Sequence, residues 1–491
     1  MKKTNYLLIL MFFIFTSCSG LQSYYSKLEK YMTNENYNKA QKLVTDSKNI
    51  YGNKNEFLYY ADLGLLYHLS NKYQQSNANF EIAKKIYEEN YTKSISLGVF
   101  SLFANDNVIP YYGHYYEIAY VNIFCALNYI LQGQDKEAVV EAKQIDNLFK
   151  KINADTFGKT FYNDDPFIRY FMGLVYENAG YYNDALISYK LALRNYDKSI
   201  YSKETFKNKN NCGYNLPVPT DLIQSLYDLY IYLGFSQEAS NLKEKFNIHF
   251  KEKTQNYGEL IIVNYNGLSP KKVDNIIELS FYKAWPYFNS TKISSKEQEQ
   301  AEKVRAAVQA GFSNDYIKIA FPKYERYQNK ISSFIVEEKI FEENNKTKTF
   351  KQNIGYSYVA GDIGTLLINA LQDENLAIYS KTIARAVGRY VLSKVVVEQV
   401  KQQEYKNNNT LSILTNSILN ITNSMLEKSD KRSWKTLPET INMSKIFLPE
   451  GHHNLTIKYL TSSKLVVYEE HISVDIIKNK KTFVVTQSFK T

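Results

Sequence analysis

The stretch Arg169-Tyr-Phe-Met-Gly-Leu-Val-Tyr-Glu-Asn-Ala-Gly-Tyr-Tyr-Asn-Asp-Ala-Leu-Ile-Ser-Tyr-Lys-Leu-Ala192 decides how the first half of the chain folds. Its apolar residues recur at helical spacing, so it reads as two helices joined by a turn. Gly173 and Tyr176 lie on the first helix; Ala185, Tyr189 and Ala192 lie on the second. Small residues at Gly173 and Ala185 let the helices approach closely, and Tyr176 and Tyr189 fill the space between them.

The spacing resembles the tetratricopeptide repeat, with its small and large residues at positions 8, 11, 20, 24 and 27. Other copies centre on Tyr31 and Ala40, on Gly64, Tyr67, Ser76, Phe80 and Ala83, on Ala126, Tyr129 and Ala138, and on Tyr230 and Ala239. The position-20 residues step by 36, 62, 47 and 54, whereas a regular array steps by about 34. Insertions are therefore expected near 91–112, 152–165 and 197–219. Residues 18–250 are read as an irregular α-solenoid whose concave surface holds a protein or peptide partner. Most of the Tyr stripe is expected in the core.

Near Tyr257 the apolar period changes from 3.6 to 2. Strands are expected at Leu260–Tyr265, Ile276–Tyr282, Tyr316–Phe321 and Ile331–Val336, with Asn266-Gly267 as a turn. Helices are expected at Lys296–Ala310, at Ile378–Val400 as a buried central element, and at Leu411–Glu427. The tail reads as strands again. Ile446–Leu448 and Leu455–Tyr459 flank a hairpin at Pro449–His453, and Ile472–Ile477 and Thr482–Phe489 flank another. The expected fold class is α+β: the solenoid, a mixed module over 257–435 with its long helix, and a small antiparallel β-sandwich over 436–491.

The first residues give an address. Met1-Lys2-Lys3 is basic, Tyr6–Phe15 is apolar but too short to span a bilayer, and Thr16-Ser17-Cys18 follows. Residues 1–17 read as a signal peptide. The end of this run resembles a bacterial lipobox, with Phe15 where that motif usually has Leu. The resemblance implies acylation of Cys18, cleavage before it, and export as a membrane-anchored lipoprotein; Ser19 points to the outer membrane.

Asp430-Lys-Arg432-Ser-Trp434-Lys-Thr-Leu437-Pro438, with Leu448-Pro449-Glu-Gly451 and Gly267-Leu-Ser-Pro270-Lys271, resembles segments of a largely uncharacterised family of bacterial envelope lipoproteins. Its members pair a tetratricopeptide-like region with such a C-terminal module. The resemblance implies an envelope protein and carries over no catalytic residue. Asp430, Arg432 and Trp434 have two readings: a ligand site made of an anion, a cation and an aromatic face, or a corner where Trp434 packs and Arg432 pairs with a carboxylate.

Composition sets limits. Among 491 residues, 44 Tyr and 27 Phe stand against only 2 Trp, and 19 Gly and 9 Pro are too few for a linker-rich chain. The net charge of +10 comes without a long basic run, so nucleic acid is not an expected partner. Cys125 reads as core. Cys212 lies in a polar connection, and nothing in the sequence pairs the two. No GxSxG, HExxH, Walker loop or GxGxxG occurs. His452 and His453 are adjacent on a strand and point to opposite faces, so they do not make a metal pair. No metal and no cofactor is expected. The favoured reading is a non-enzymatic scaffold; a glycan- or peptidoglycan-binding lipoprotein and an envelope hydrolase are the alternatives.

Overall fold

A computed structural model describes residues 23–97, 109–156, 165–197, 216–247, 256–290, 298–309, 316–341, 349–404 and 429–490. Cys18, Cys212 and the expected helix at 411–427 lie outside these residues.

Among the described residues, five helix pairs make up the first half. The first helices are α1 (23–33), α4 (Glu56–Leu69), α6 (Tyr115–Leu131), α8 (Pro166–Asn178) and α10 (Thr220–Tyr232). Their partners are α2 (Tyr37–Asp46), α5 (Tyr73–Leu97), α7 (Asp135–Thr156), α9 (Tyr182–Tyr196) and α11 (Ser236–Phe246), with one extra turn, α3 (Lys48–Tyr51). One turn geometry joins every pair. A left-handed residue follows each first helix: Glu35, Asn71, Gly133, Gly180 and Gly234, with φ of 55°, 60°, 71°, 81° and 81°. The next amide donates back to a Tyr carbonyl, of Tyr31, Tyr67, Tyr129, Tyr176 and Tyr230, at 2.8–2.9 Å. This is the helix-ending motif that satisfies the last carbonyls. Five residues after each left-handed residue stands Ala40, Ser76, Ala138, Ala185 or Ala239, all buried. Equal offsets in five turns place five copies of one unit. A methyl group on Gly64 would collide with the Phe80 ring, and one on Gly173 with the Tyr189 ring, so both glycines set the spacing of their pairs.

Among the described residues, the second half holds three sheets. Strands β1 (Tyr257–Leu268), β7 (Pro438–Pro449), β6 (Tyr358–Asp362) and β10 (Lys481–Ser488) form one, in the order β10-β1-β7-β6. The pair β1–β10 is parallel; β7 is antiparallel to β1 and to β6. Strands β5 (Thr349–Tyr356), β4 (Ser333–Phe341), β8 (Gly451–Leu460) and β9 (Val466–Ile476) form a second, antiparallel sheet. A two-stranded ribbon joins β2 (Lys271–Ser280) to β3 (Tyr316–Glu325).

Strand alternation then builds layers. On β1, Leu260 and Ile262 face the second sheet, while Ile261, Val263 and Tyr265 join the helical core. On β7, Ile446 and Leu448 take the first direction and Ile441 and Met443 the second. The first sheet is thus buried on both faces, between the helical array and the second sheet. One apolar cluster runs from Tyr24 to Phe489.

The architecture is α+β with a helical repeat half, and three expectations change in detail. The tail does not close a sandwich by itself: its strands split between two sheets that residues 257–362 complete. Neither expected tail hairpin forms, because β7 and β8 belong to different sheets, as do β9 and β10. The hairpin that does form joins β8 to β9 across 461–465, where Lys464 has φ of 66°. Asn266-Gly267 lies inside β1 rather than ending it.

The long helix, α14, runs over Ile363–Glu404, well beyond the apolar run. The Asp362 carboxylate accepts its Thr365 amide at 2.8 Å and so extends its start. Its 383–391 stretch serves a satellite core with β3 and helices α12 (Phe281–Ser290) and α13 (Gln298–Gln309), not the main one. Among the described residues no helix is long and apolar enough to cross a membrane.

Candidate functional site: the seam between helices and sheet

The first helix of every pair touches the sheet half. Lys435 Nζ lies 3.6 Å from the centre of the Tyr25 ring of α1. Asp62 of α4 accepts from Thr436, Glu117 of α6 from the Trp434 amide, Glu177 of α8 pairs with Lys481, and Asp221 of α10 accepts from the Lys445 amide. The inner side of the array is therefore met by the chain's own C-terminal half, through residues 434–436 and strands β7 and β10.

Segment 429–437 is the densest part of this seam. Trp434 is 1% exposed and meets the Phe80 and Phe124 rings edge-on at centroid distances of 6.0 and 5.9 Å. Its indole N–H donates to Thr436 Oγ1 at 2.9 Å, and that hydroxyl donates to Asp62 Oδ1 at 2.7 Å. Tyr51 donates to the other Asp62 oxygen at 2.6 Å and accepts from Tyr24 at 2.8 Å. The Trp434 amide reaches Glu117 Oε1 at 2.8 Å, while Glu117 Oε2 accepts from Tyr111 and the His114 amide, each at 2.8 Å.

Arg432 grips Asp430 through Nε and Nη2 at 2.9 and 2.7 Å, donates from Nη1 to the Ile109 carbonyl at 2.7 Å, and lies 5.2 Å over Tyr111. Burial pushes the Asp430 carboxyl up, but Arg432 overcomes it and holds the group below its ordinary range. The three residues singled out in sequence are brought together as a packed joint, and Trp434 presents no open face to a ligand.

Two further groups lock the seam. His68 shares Nδ1 with Asn128 Oδ1 at 2.6 Å and Nε2 with the Tyr265 hydroxyl at 2.9 Å. Burial lowers its pKa to about 4, so it is neutral there. An alternating chain of charges runs Lys445–Glu259–Lys481–Glu177 at 2.9, 2.5 and 3.0 Å, and Tyr189 donates to Glu177 at 2.7 Å. Each of these four side chains is at most 8% exposed. Burial raises Asp62 to about 6, against the hydrogen bonds from Tyr51 and Thr436 that hold it down.

These residues were not singled out in sequence. Their signal was there: Asp62, His68 and Glu117 are polar residues inside otherwise apolar first helices. An isolated carboxylate in such a run needs a buried partner.

Other groups do less. Glu81, Cys125 and Glu141 converge with ligand atoms within 4.8 Å. Lys84 already pairs with both carboxylates, at 3.0 Å from Glu141, and supplies the positive charge that a metal would bring. Burial pushes the Cys125 thiol well up, which leaves it unreactive. His452 turns to Asp475 at 2.8 Å and His453 to Glu338 at 2.6 Å, on different neighbouring strands.

No protein-family profile matches the sequence, and no curated relative does. Among solved structures, the apo form of RapI overlaps 45% of this chain and 51% of its own, at 13% identity and a TM-score of 0.31. BtubC from P. vanneervenii overlaps 46% of this chain and 81% of its own, at 14% identity and 0.28. PilW, a type IV pilus biogenesis factor, overlaps 46% and 92%, at 15% and 0.23. This chain thus matches only about half the length of RapI. Overlaps this loose carry no argument about function, and the repeat assignment rests on the five turns.

Proposed function

We propose that this chain is a non-enzymatic interaction scaffold of the bacterial cell envelope, exported, tethered to a membrane (the outer one, on Ser19) by an acylated Cys18, and related to the envelope lipoproteins its C-terminal segments resemble. The observation that carries the scaffold reading is the seam. Charged and polar groups on the inner side of the array are engaged by the chain's own C-terminal half, leaving the outer helices to meet a partner. Those helices expose Ile82, Val140 and Ile187, the last 58% exposed. A partner protein or peptide therefore docks on the outside of the repeats rather than in their concave surface.

The test is photo-crosslinking in cells from positions 140 and 187, with position 434 as the buried control. One specific partner captured from the outer positions and none from 434 is the expected result. Capture from 434, or no defined partner from either outer position, contradicts the reading.

One observation favours the glycan alternative. Tyr182 and Tyr232 lie 4.6 Å apart between centroids at the turn edge, with Tyr232 66% exposed, and aromatic faces of this kind stack on sugar rings. Retention on immobilised peptidoglycan that is lost in Tyr232→Ala supports that alternative.

A further inference from the structure

We propose that the face around the start of α1 rests on an anionic lipid surface. This rests on the reading of Cys18 as the anchor and adds to it the side of the body that meets the membrane. Between Cys18 and Ser23 the chain spans five residues, a reach of at most about 18 Å. Whatever surrounds the start of α1 is thereby held close to the head groups.

That surrounding is basic. Tyr24, Leu28 and Met32 bury one side of α1, which leaves Lys27 and Lys30 exposed on the other. Beside Tyr25 stands Lys435, whose pKa burial lowers to about 8, with the nearby charges of Lys431 and Lys271 acting in the same direction. Lys271 and Lys431 are exposed. Lys271 lies 5.1 Å from the centre of the Tyr327 ring, and Tyr327 stands near Glu29 of α1.

The carboxylates among these lysines are fewer. Asp274 takes Lys431 at 2.6 Å, Glu29 faces Lys435, and Glu325 is opposite Lys271 but also holds Lys323 at 2.9 Å. Asp62 is buried beneath. The excess is positive and lies on three separate stretches of chain that the fold brings to the tether. An anionic head-group layer matches it in charge, each lysine near such a surface adding about five-fold to binding.

The test uses the full chain carrying Cys18→Ser, so that no acyl chain contributes. The apolar run Tyr6–Phe15 is common to every variant, and only differences are read. Binding is measured by co-sedimentation with vesicles of phosphatidylcholine alone and of phosphatidylcholine with phosphatidylglycerol. Expected is a preference for the anionic vesicles that weakens with salt. Expected also is a loss of at least about ten-fold in Lys27→Gln/Lys30→Gln/Lys271→Gln/Lys431→Gln.

The charge-matched set Lys85→Gln/Lys136→Gln/Lys143→Gln/Lys190→Gln, on the outer helices, retains most of the binding. Equal losses from the two sets, or no preference for anionic lipid, overturns the proposal. Fatty-acid labelling of the unaltered protein in cells is read separately. Absence of label on Cys18 overturns the anchor, whereas label present with unequal vesicle binding missing overturns only the basic face.

Discussion

The two sides of the helical array each carry residues out of their usual place: a few buried polar groups within an apolar inner side, and a few exposed apolar groups outside. First helices place Asp62, His68, Glu117 and Glu177 at the interior, each with a partner on or beside the sheets. Second helices place Ile82, Val140 and Ile187 at the surface. An isolated repeat array shows a polar groove to solvent, where a ligand completes the hydrogen bonds. Here segment 429–437 and the first sheet complete them, so the groove has become a core. What a repeat array offers a partner is then decided by what the rest of the chain leaves uncovered.

Substitutions on the inner side test this hardest. Lys481→Met leaves Glu177 and Glu259 buried with one cation fewer between them, and costs about 3–5 kcal/mol. Trp434→Ala removes the ring between Phe80 and Phe124 and costs a similar amount, about 3–5 kcal/mol. In both variants, urea denaturation followed by helical and by aromatic signals keeps one shared midpoint, because one core joins the halves. Two separated transitions contradict the shared core. Gly173→Ala pushes the Tyr189 ring aside and costs about 1–3 kcal/mol.

The titrating groups sharpen the comparison through pH. His68 has a folded pKa of about 4, below its ordinary 6.5. Its contribution is whole above pH 6.5 and is lost as pH falls towards 4, about 3 kcal/mol in all. Asp62 is raised from 3.8 to about 6. The fold therefore holds that proton more tightly, and its contribution is present at low pH and lost as pH rises through 4 to 6. Between pH 6 and 4 the two slopes oppose each other. In His68→Gln the denaturation midpoint rises on acidification relative to the unaltered chain; in Asp62→Asn it falls. On the outer side, Ile187→Ser changes stability by no more than about 0.5 kcal/mol.

Much of the helical half was legible. Tyr176 and Ala185 carry a local rule, a helix end followed by a close-packed partner, and a Tyr followed nine positions later by a small residue, Ala or Ser, recurs in all five copies. Local rules survive insertion, which is why steps of 47 and 62 did not hide them. Strand existence was legible too, since alternation is local. Strand partnership was not. Pro449-Glu450-Gly451 looks like a hairpin turn, yet it carries the chain from one sheet to the other, because pairing is set by partners more than a hundred residues away, such as Ser444 with Ile262. The seam was half legible. Trp434 and Arg432 stand out as residue types and the Arg432–Asp430 pair is local, but Phe80, Tyr111, Glu117 and Phe124, which they also meet, lie over three hundred residues earlier, and no spacing encodes those contacts.

The most direct measurement is hydrogen exchange at the Trp434 amide in the unaltered protein. Residues 431–434 belong to no helix or strand, and this N–H is held by Glu117 Oε1 of the array at 2.8 Å. Exchange as slow as that of the central β1 amides is the result expected of a groove filled by the chain itself. Exchange at the rate of an open loop would show the groove empty and contradict the account.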